Sequence, residues 1–358
     1  MTFRAAPARP RPAPAHGAGF TLIEMLVVVA LLAGTAMVGL ALTADRGNQW
    51  RAEDSARRMG AIIDAAFGPR GPVWSGEVRL AGFVADNGRL PATLSELSDR
   101  DARIAAGLGA WAELAPRFDP QPDANGWNNG GETTLSAAGE TLWKGLRRYL
   151  ENGTGGAKYR DAWGNVAPDA GVDADNYGWG FEVDGDGFTL VSLGADGEAG
   201  NPSAIEHGED SVRDTVADDW SLGLGGWQVA VYNAGAADID CALGTGCPVG
   251  GVLRASLLVF ENTAAGGRWR RYSSDALSAL PAGERALLSF PASGWPGGGL
   301  SAARVPQGEH LVLMVADSDG VAHNGGGEAP LVQGGRRLAR HAVFHAGAAR
   351  PALEFVLR

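Results

Sequence analysis

Two groups of residues have the types and spacing to do chemistry. The first is Ser192-Leu-Gly-Ala-Asp-Gly197, at the end of a strand-like run. Gly194 and Gly197 let backbone carbonyls turn inward, and Asp196 adds a carboxylate. A hard cation such as Ca2+ takes about six to eight oxygens of these kinds from a flexible loop. Glu206, Glu209, Asp210, Asp214, Asp218 and Asp219 follow within reach and supply the remaining ligands. Between Asp161 and Trp220 there are 15 acids and one base, Arg213. Crowded carboxylates repel one another unless a cation or solvent compensates. The second group is a single residue, Glu24, inside a run that otherwise has no charge from Met25 to Leu42. A carboxylate at membrane depth is costly and calls for a partner and a purpose.

The remaining candidates carry less. Asp173-Ala-Asp175-Asn-Tyr177-Gly178 copies the opening of an EF-hand loop, but Tyr177 stands where an oxygen is needed. Asp317-Ser-Asp-Gly320 has the composition of a loop entrance. Cys241 and Cys247 bracket a short glycine-containing loop; in an oxidising compartment they form a local disulfide. Their spacing is not that of a redox pair. The histidines form no HExxH, and no nucleophile elbow, P-loop or dinucleotide fingerprint is present. Nothing in the sequence indicates an enzyme. A net charge of −11 argues against nucleic-acid binding.

The elements that must position these residues begin with a stem. Arg4, Arg9 and Arg11 precede the apolar run, which from Phe20 to Leu42 makes about 34 Å of helix, enough to cross a bilayer. Basic residues before the span keep the amino end cytoplasmic and send the rest outside. A secretory signal peptide would have a shorter apolar region and no acid within it. Trp50, Met59, Ile62, Ile63, Ala66 and Phe67 continue at helical spacing, with no proline before Pro69. One long helix to Phe67 is expected, a break near Asp45–Gly47 being the alternative. Val78 to Val84 suggests a second helical piece ending at the Asp86-Asn87-Gly88 turn, and Thr93 to Leu97 a short capped helix. Residues 99–140 look like a turn-rich insertion. Gly180–Val183 and Phe188–Leu193 flank Asp184-Gly-Asp-Gly187 as a β-hairpin. After the glycine-rich Ser221–Gly226, seven short runs suggest a β-sandwich: 227–233, 252–260, 268–272, 285–290, 310–315, 337–345 and 352–357. Arg268-Trp-Arg-Arg-Tyr272 alternates in the manner of a half-exposed strand.

The string Gly19-Phe-Thr-Leu-Ile-Glu24-Met-Leu-Val-Val resembles the signal of type IV pilins and type II secretion pseudopilins. FVADNGRLPATLSEL, LWKGLRRYL and YRDAWGN resemble segments that follow the long helix in pseudopilin-like proteins, although Leu146-Arg147-Arg148 replaces a glycine-proline step. The resemblance implies cleavage by a prepilin peptidase after Gly19, N-methylation of Phe20, and pairing of Glu24 with the new amino group of an adjacent subunit. SLGADG is similar to the calcium loop of the major pseudopilin. Carried over, that likeness implies carbonyl ligands Leu193 and Ala195 and carboxylates Asp196, Asp218 and Asp219. The gap from Gly197 to Ala217 is longer than the family's, so Asp210 or Asp214 is an alternative for one of the pair.

The expectation is therefore an α+β protein with four parts. A leader (1–19) precedes a long N-terminal membrane-spanning helix (20–67, spanning at 20–42). A pilin-like head with a small antiparallel sheet and the calcium loop follows (68–222), then a C-terminal all-β sandwich-like domain (227–358). The implied role is a structural subunit of a type II secretion pseudopilus or related pilus-like filament, with Ca2+ stabilising the head. Its implied partners are prepilin peptidase, other pilin or pseudopilin subunits and the inner-membrane assembly platform. It would sit in a bacterial inner membrane with its head in the periplasm. The alternative is a minor subunit whose β domain binds a secreted substrate, a glycan or an envelope partner.

Overall fold

The computed structural model describes residues 21–68, 80–98, 132–134, 149–150, 160–165, 176–200, 205, 207–263, 266–291, 304–322 and 327–358. The chain opens with α1 (Leu22–Phe67), a single 46-residue helix of about 69 Å that runs unbroken through Asp45–Gly47. Its first half is exposed on all sides, with Leu22 84%, Met37 71% and Leu40 71% accessible. Its last turns bury Met59, Ile62, Ala65, Ala66 and Phe67. Gly68 ends it at φ 86°, where its N–H closes on the Asp64 carbonyl at 2.7 Å. A Cβ there would lie 2.5 Å from the Ala81 carbonyl oxygen, so only glycine allows this close return of the chain.

The head is built on that buried face. Helices α2 (Phe83–Asn87) and α3 (Ser95–Ser98) follow, then a three-residue strand β1 (Glu132–Thr134). The second helical piece is shorter than its expected Val78 start: residues 80–82 are not helical, and Gly88 stops α2 in the left-handed region. The capped helix likewise begins two residues late, at Ser95. β2 (Gly180–Val183), β3 (Phe188–Ser192) and β4 (Ser211–Asp214) form the small antiparallel sheet in the order β2-β3-β4. In β3 the alternate residues Phe188, Leu190 and Ser192 are buried, and the Phe188 ring lies 5.3 Å from that of Phe67. The tight turn between β2 and β3 is held by Asp184, whose carboxylate accepts from the N–H groups of Asp186 and Gly187 at 3.0 and 2.8 Å. The same core takes in Phe83, Leu94, Leu97, Trp179 and Trp220.

A second core belongs to the C-terminal β-rich unit. Its strands are β5 (Ser221–Gly223), β6 (Gln228–Asn233), β7 (Ile239–Asp240), β8 (Val252–Thr263), β9 (Gly266–Ser273), β10 (Ala279–Leu280) and β11 (Arg285–Ser289). Then come β12 (Arg304–Pro306), β13 (Gly308–Asp317), β14 (Glu328–Pro330), β15 (Val332–Gln333), β16 (Arg336–Arg337), β17 (Ala339–Phe344) and β18 (Leu353–Leu357). All seven runs expected from the sequence are strands. The large sheet has the order β1-β9-β8-β13-β14, with β17 also paired to β13. A three-stranded sheet, β11-β6-β18, supplies the facing layer, and β18 runs parallel to β6. Leu253, Ala255, Leu257 and Val259 of β8 and Val312, Met314 and Ala316 of β13 share one core with Val229, Val231, Leu288, Phe355 and Leu357. That is the interdigitation of two apolar faces expected of a sandwich.

The other face of the large sheet is also buried: Arg271, opposite Leu258, is 1% accessible, while Arg270, opposite Val259 on the core face, is 5% accessible, which corrects the half-exposed reading at 270–272. Arg271 donates to Glu328 at 3.1 Å with both side chains fully enclosed. The Glu328 carboxylate also accepts from the Ser256 and Ser273 hydroxyls at 3.2 and 2.8 Å. Beside it, Arg254 donates to Asp317 at 2.8 Å and to the carbonyls of Ser274 and Gly320. Asp317 is thus committed to this tie, while its other oxygen accepts from the backbone of Asp319 and Gly320.

The two cores are joined rather than strung. β5 pairs with β12, the Gln307 N–H donates to the Trp220 carbonyl at 2.8 Å, and the Gln307 amide donates to the Phe67 carbonyl at the end of α1. β1, from the segment read as a turn-rich insertion, pairs antiparallel with β9 at the edge of the large sheet.

Candidate assembly and cation sites

Glu24 sits in the first turn of α1, where the helix presents unsatisfied N–H groups and favours negative charge. Its carboxylate accepts from the Thr21 N–H at 2.8 Å and the Thr21 hydroxyl at 3.0 Å. The Thr21 hydroxyl in turn accepts from the Glu24 N–H at 3.3 Å, so the two form a capping box. Thr-Leu-Ile-Glu, one turn into a hydrophobic run, is enough to explain the geometry: threonine caps, and the acid three residues on reaches back. In an isolated chain Glu24 is therefore held by its own helix end. Gly19 and Phe20 lie outside the described residues. Leu22, Ile23, Met25 and Leu26, which flank it, are all exposed.

The acidic positions fall into two places rather than one. In the first, Leu193 to Gly197 forms a turn in which the Leu193 carbonyl accepts from the Gly197 N–H at 3.1 Å and the Ala195 N–H donates to the Gly208 carbonyl at 2.8 Å. Asn165, itself held by Asp161, donates to the Gly194 carbonyl at 2.7 Å. One Asp196 oxygen accepts from the Glu198 N–H at 3.1 Å. Asp210 accepts from the Gly200 N–H at 2.7 Å through one oxygen, while its other oxygen is buried with no hydrogen-bond partner.

In the second place, Asp218 and Asp219 lie on a single 3-10 turn, Ala217–Asp219. Asp218 pairs with Arg304, which also donates to the Ser221 hydroxyl at 2.8 Å and the Ser221 carbonyl at 2.9 Å. Asp219 accepts from the Val216 N–H at 2.9 Å. Asp214 accepts from the Thr189 hydroxyl at 2.7 Å. The antiparallel register decides the separation. Ser192 faces Ser211 at one end of the β3–β4 pair and Thr189 faces Asp214 at the other. Three strand steps, about 10 Å, therefore lie between the ends before the loops begin. The positions 193, 195 and 196 are not brought together with 218 and 219. Among the described residues no three acidic, histidine or cysteine side chains converge in the manner of a metal centre. An arginine on Asp218 was not anticipated from the sequence, because Arg304 comes from 86 residues away.

Cys241 and Cys247 are joined, with Cα atoms 5.1 Å apart, and close the turn after β7. Asn176-Tyr177-Gly178, from the EF-hand-like string, is a buried turn in which the Asn176 carbonyl-type side-chain oxygen accepts from the Leu94 N–H at 3.0 Å. His341 faces Glu309 at 3.2 Å on the large sheet.

The first half of α1 is thus an exposed apolar helix, by length and composition able to cross a bilayer and begun by a capping box. Residues 16–33 match the prokaryotic N-terminal methylation motif, the signal of type IV pilin-like proteins processed by prepilin peptidase. No curated protein matches the chain. No solved structure matches it either.

Proposed function

We propose that this chain is a structural, non-enzymatic subunit of an envelope filament, either a type II secretion pseudopilus or a related pilus-like fibre. The observation that carries this reading is the placing of the methylation motif directly on the exposed half of α1. A helix whose first turns are apolar all round is stable only in lipid or against other such helices. Before assembly the inner membrane holds it, with the head on the periplasmic side. Hydrolysis of the Gly19–Phe20 bond then frees an amino group, which is methylated. In the filament the Glu24 carboxylate exchanges Thr21 for the amino group of a neighbouring subunit, and the apolar helices pack together as they leave the bilayer. A charge pair at that depth removes most of the cost of the buried carboxylate. Intact-mass and N-terminal measurements on the mature protein are expected to give a chain that begins at a methylated Phe20. A mature chain beginning elsewhere, or one retaining the arginine-bearing leader, overturns the assignment.

Calcium belongs to this proposal at one end of the head sheet only. Asp210 brings a buried, unpartnered carboxylate oxygen to the loop of Leu193, Ala195 and Asp196. Asp218 and Asp219 already have Arg304 and the Val216 N–H. A divalent cation that binds only the folded head raises its melting temperature by mass action. Millimolar Ca2+ is thus expected to raise the melting temperature, the rise surviving Asp218→Asn and disappearing in Asp196→Asn or Asp210→Asn. No shift between chelator and calcium removes the cation from the account.

A further inference from the structure

Just beyond the apolar half of α1, a shallow groove runs between the helix and the turn at Arg160–Asn165. Its lining includes Trp50, the cations Arg51, Arg57 and Arg58, and the carboxylates Glu53 and Asp54. The turn is fixed to the helix, since the Ala162 N–H donates to the Ser55 hydroxyl at 3.0 Å and Arg58 donates to the Arg160 carbonyl. Arg51 lies over the Trp163 ring, 5.7 Å from its centroid. Trp50 is 71% exposed, an unusual state for tryptophan on the folded part of a helix.

The carboxylates nearby are already engaged. Asp54 pairs with both Arg57 and Arg58, and Glu53 accepts from the Gln49 amide at 2.8 Å. Among the described residues no carboxylate pairs with Arg46 or Arg51. Arg46, Trp50 and Arg57 recur at helical spacing, as do Gly47, Arg51 and Arg58, so both rows share one side of the helix.

Depth supplies the ligand. At 1.5 Å per residue, the backbone of Arg46 stands about 6 Å beyond Leu42, within the headgroup layer, and those of Trp50 and Arg51 about 12 and 14 Å, so that these two meet it only through side chains reaching back. The headgroup layer on each side of a bilayer is about 5–8 Å thick. Helix side chains lean toward the amino end, which here is back toward the membrane. Tryptophan and arginine are suited to this layer, the indole at the interface and the guanidinium on phosphate.

We infer that this face is a binding site for the headgroups of anionic phospholipids, with Arg46 and Arg51 on the phosphates and the Trp50 and Trp163 rings at the interface. The inference rests on the membrane reading of α1 and extends it to lipid selectivity. The chain as a whole carries −11, so general attraction to an anionic surface does not account for such a preference.

The test uses the full chain in nanodiscs of phosphatidylcholine, alone or with increasing phosphatidylglycerol, each with a nitroxide headgroup probe. The Trp50 signal is taken as the difference from Trp50→Phe. Quenching is expected to rise with phosphatidylglycerol. In Arg46→Gln/Arg51→Gln the fraction needed for half the effect rises several-fold, because each arginine at an anionic surface is worth about fivefold in affinity. Quenching that ignores lipid composition, or that is unchanged in the double variant, overturns the site. Quenching that instead follows the number of chains per disc makes this face a contact between copies and overturns the lipid assignment. Failure of the protein to enter either kind of nanodisc overturns the anchor itself, and with it this site.

Discussion

Replacing Glu24 by alanine is expected to leave the protein in the membrane fraction and to reduce its recovery in sheared filaments by about tenfold or more, the scale for truncating one partner of a desolvated charge pair. Insertion is expected to be unaffected because the exposed apolar residues from Leu22 to Leu42 do not depend on the carboxylate. The substitution also removes the capping box with Thr21, so a structural effect must be separated from an assembly effect. Thr21→Val does this: it takes away the hydroxyl of the cap but keeps the acid. If Thr21→Val lowers recovery as far as Glu24→Ala does, the helix cap is what assembly needs and the amine-pairing role fails. Normal recovery of Glu24→Ala would dispose of both.

The second large effect is on stability. Glu328→Ala leaves the Arg271 guanidinium enclosed in the sheet without its carboxylate, and the Ser256 and Ser273 hydroxyls without their common acceptor. Burial already holds the Arg271 pKa below the usual arginine value, with Glu328 opposing that shift. Losing the opposing partner is expected to cost about 3–5 kcal/mol, the range for breaking a buried pair. Thermal unfolding of the full chain in detergent, followed by near-ultraviolet circular dichroism, reads this directly. Replacing both partners with apolar residues of similar volume is expected to cost much less, since such exchanges are often near neutral. If the single and double replacements melt alike, the sheet does not depend on this pair.

The stem, the head hairpin and the seven sandwich strands were legible because each is a local pattern. The apolar run before Leu42 has helix length and no breaker, and the 227–233 or 310–315 runs are long enough to show β-branched density. The short strands were not legible, since β5, β7, β10, β12 and β14 to β16 have two or three residues each and show no period. β5 and β12, β7 and β10, and β15 and β16 pair with each other, and β14 with the long β13, so each depends on a partner distant in sequence or on a tight turn. β1 is the clearest case, being paired to β9 from the middle of a glycine- and asparagine-rich stretch.

The buried charges were misread for a related reason. Arg268 and Arg270 flank Trp269, which in a strand suggests one wet face. What makes burial of Arg271 possible is Glu328, 57 residues away in sequence. The acidic loop shows the same limit. Composition located the carboxylates correctly in one stretch, but the β3–β4 register sorted them to opposite ends, and Arg304 took one of them. Glu24 needed no tertiary information, because its spacing from Thr21 and its place in the apolar run are both local.

The pairing of β1 with β9 makes excision of either unit a double injury. A truncation after the head would strip residues 132–134 of their sheet neighbour, and a free-standing 227–358 fragment would expose the backbone donors and acceptors of β9 to whatever strand came by. Such a fragment would also lose the Gln307 tether to Phe67. Clumping of a trimmed product would then report an orphaned border, and domain-swapped or ligand-capture results obtained with it would describe the wound rather than the native molecule.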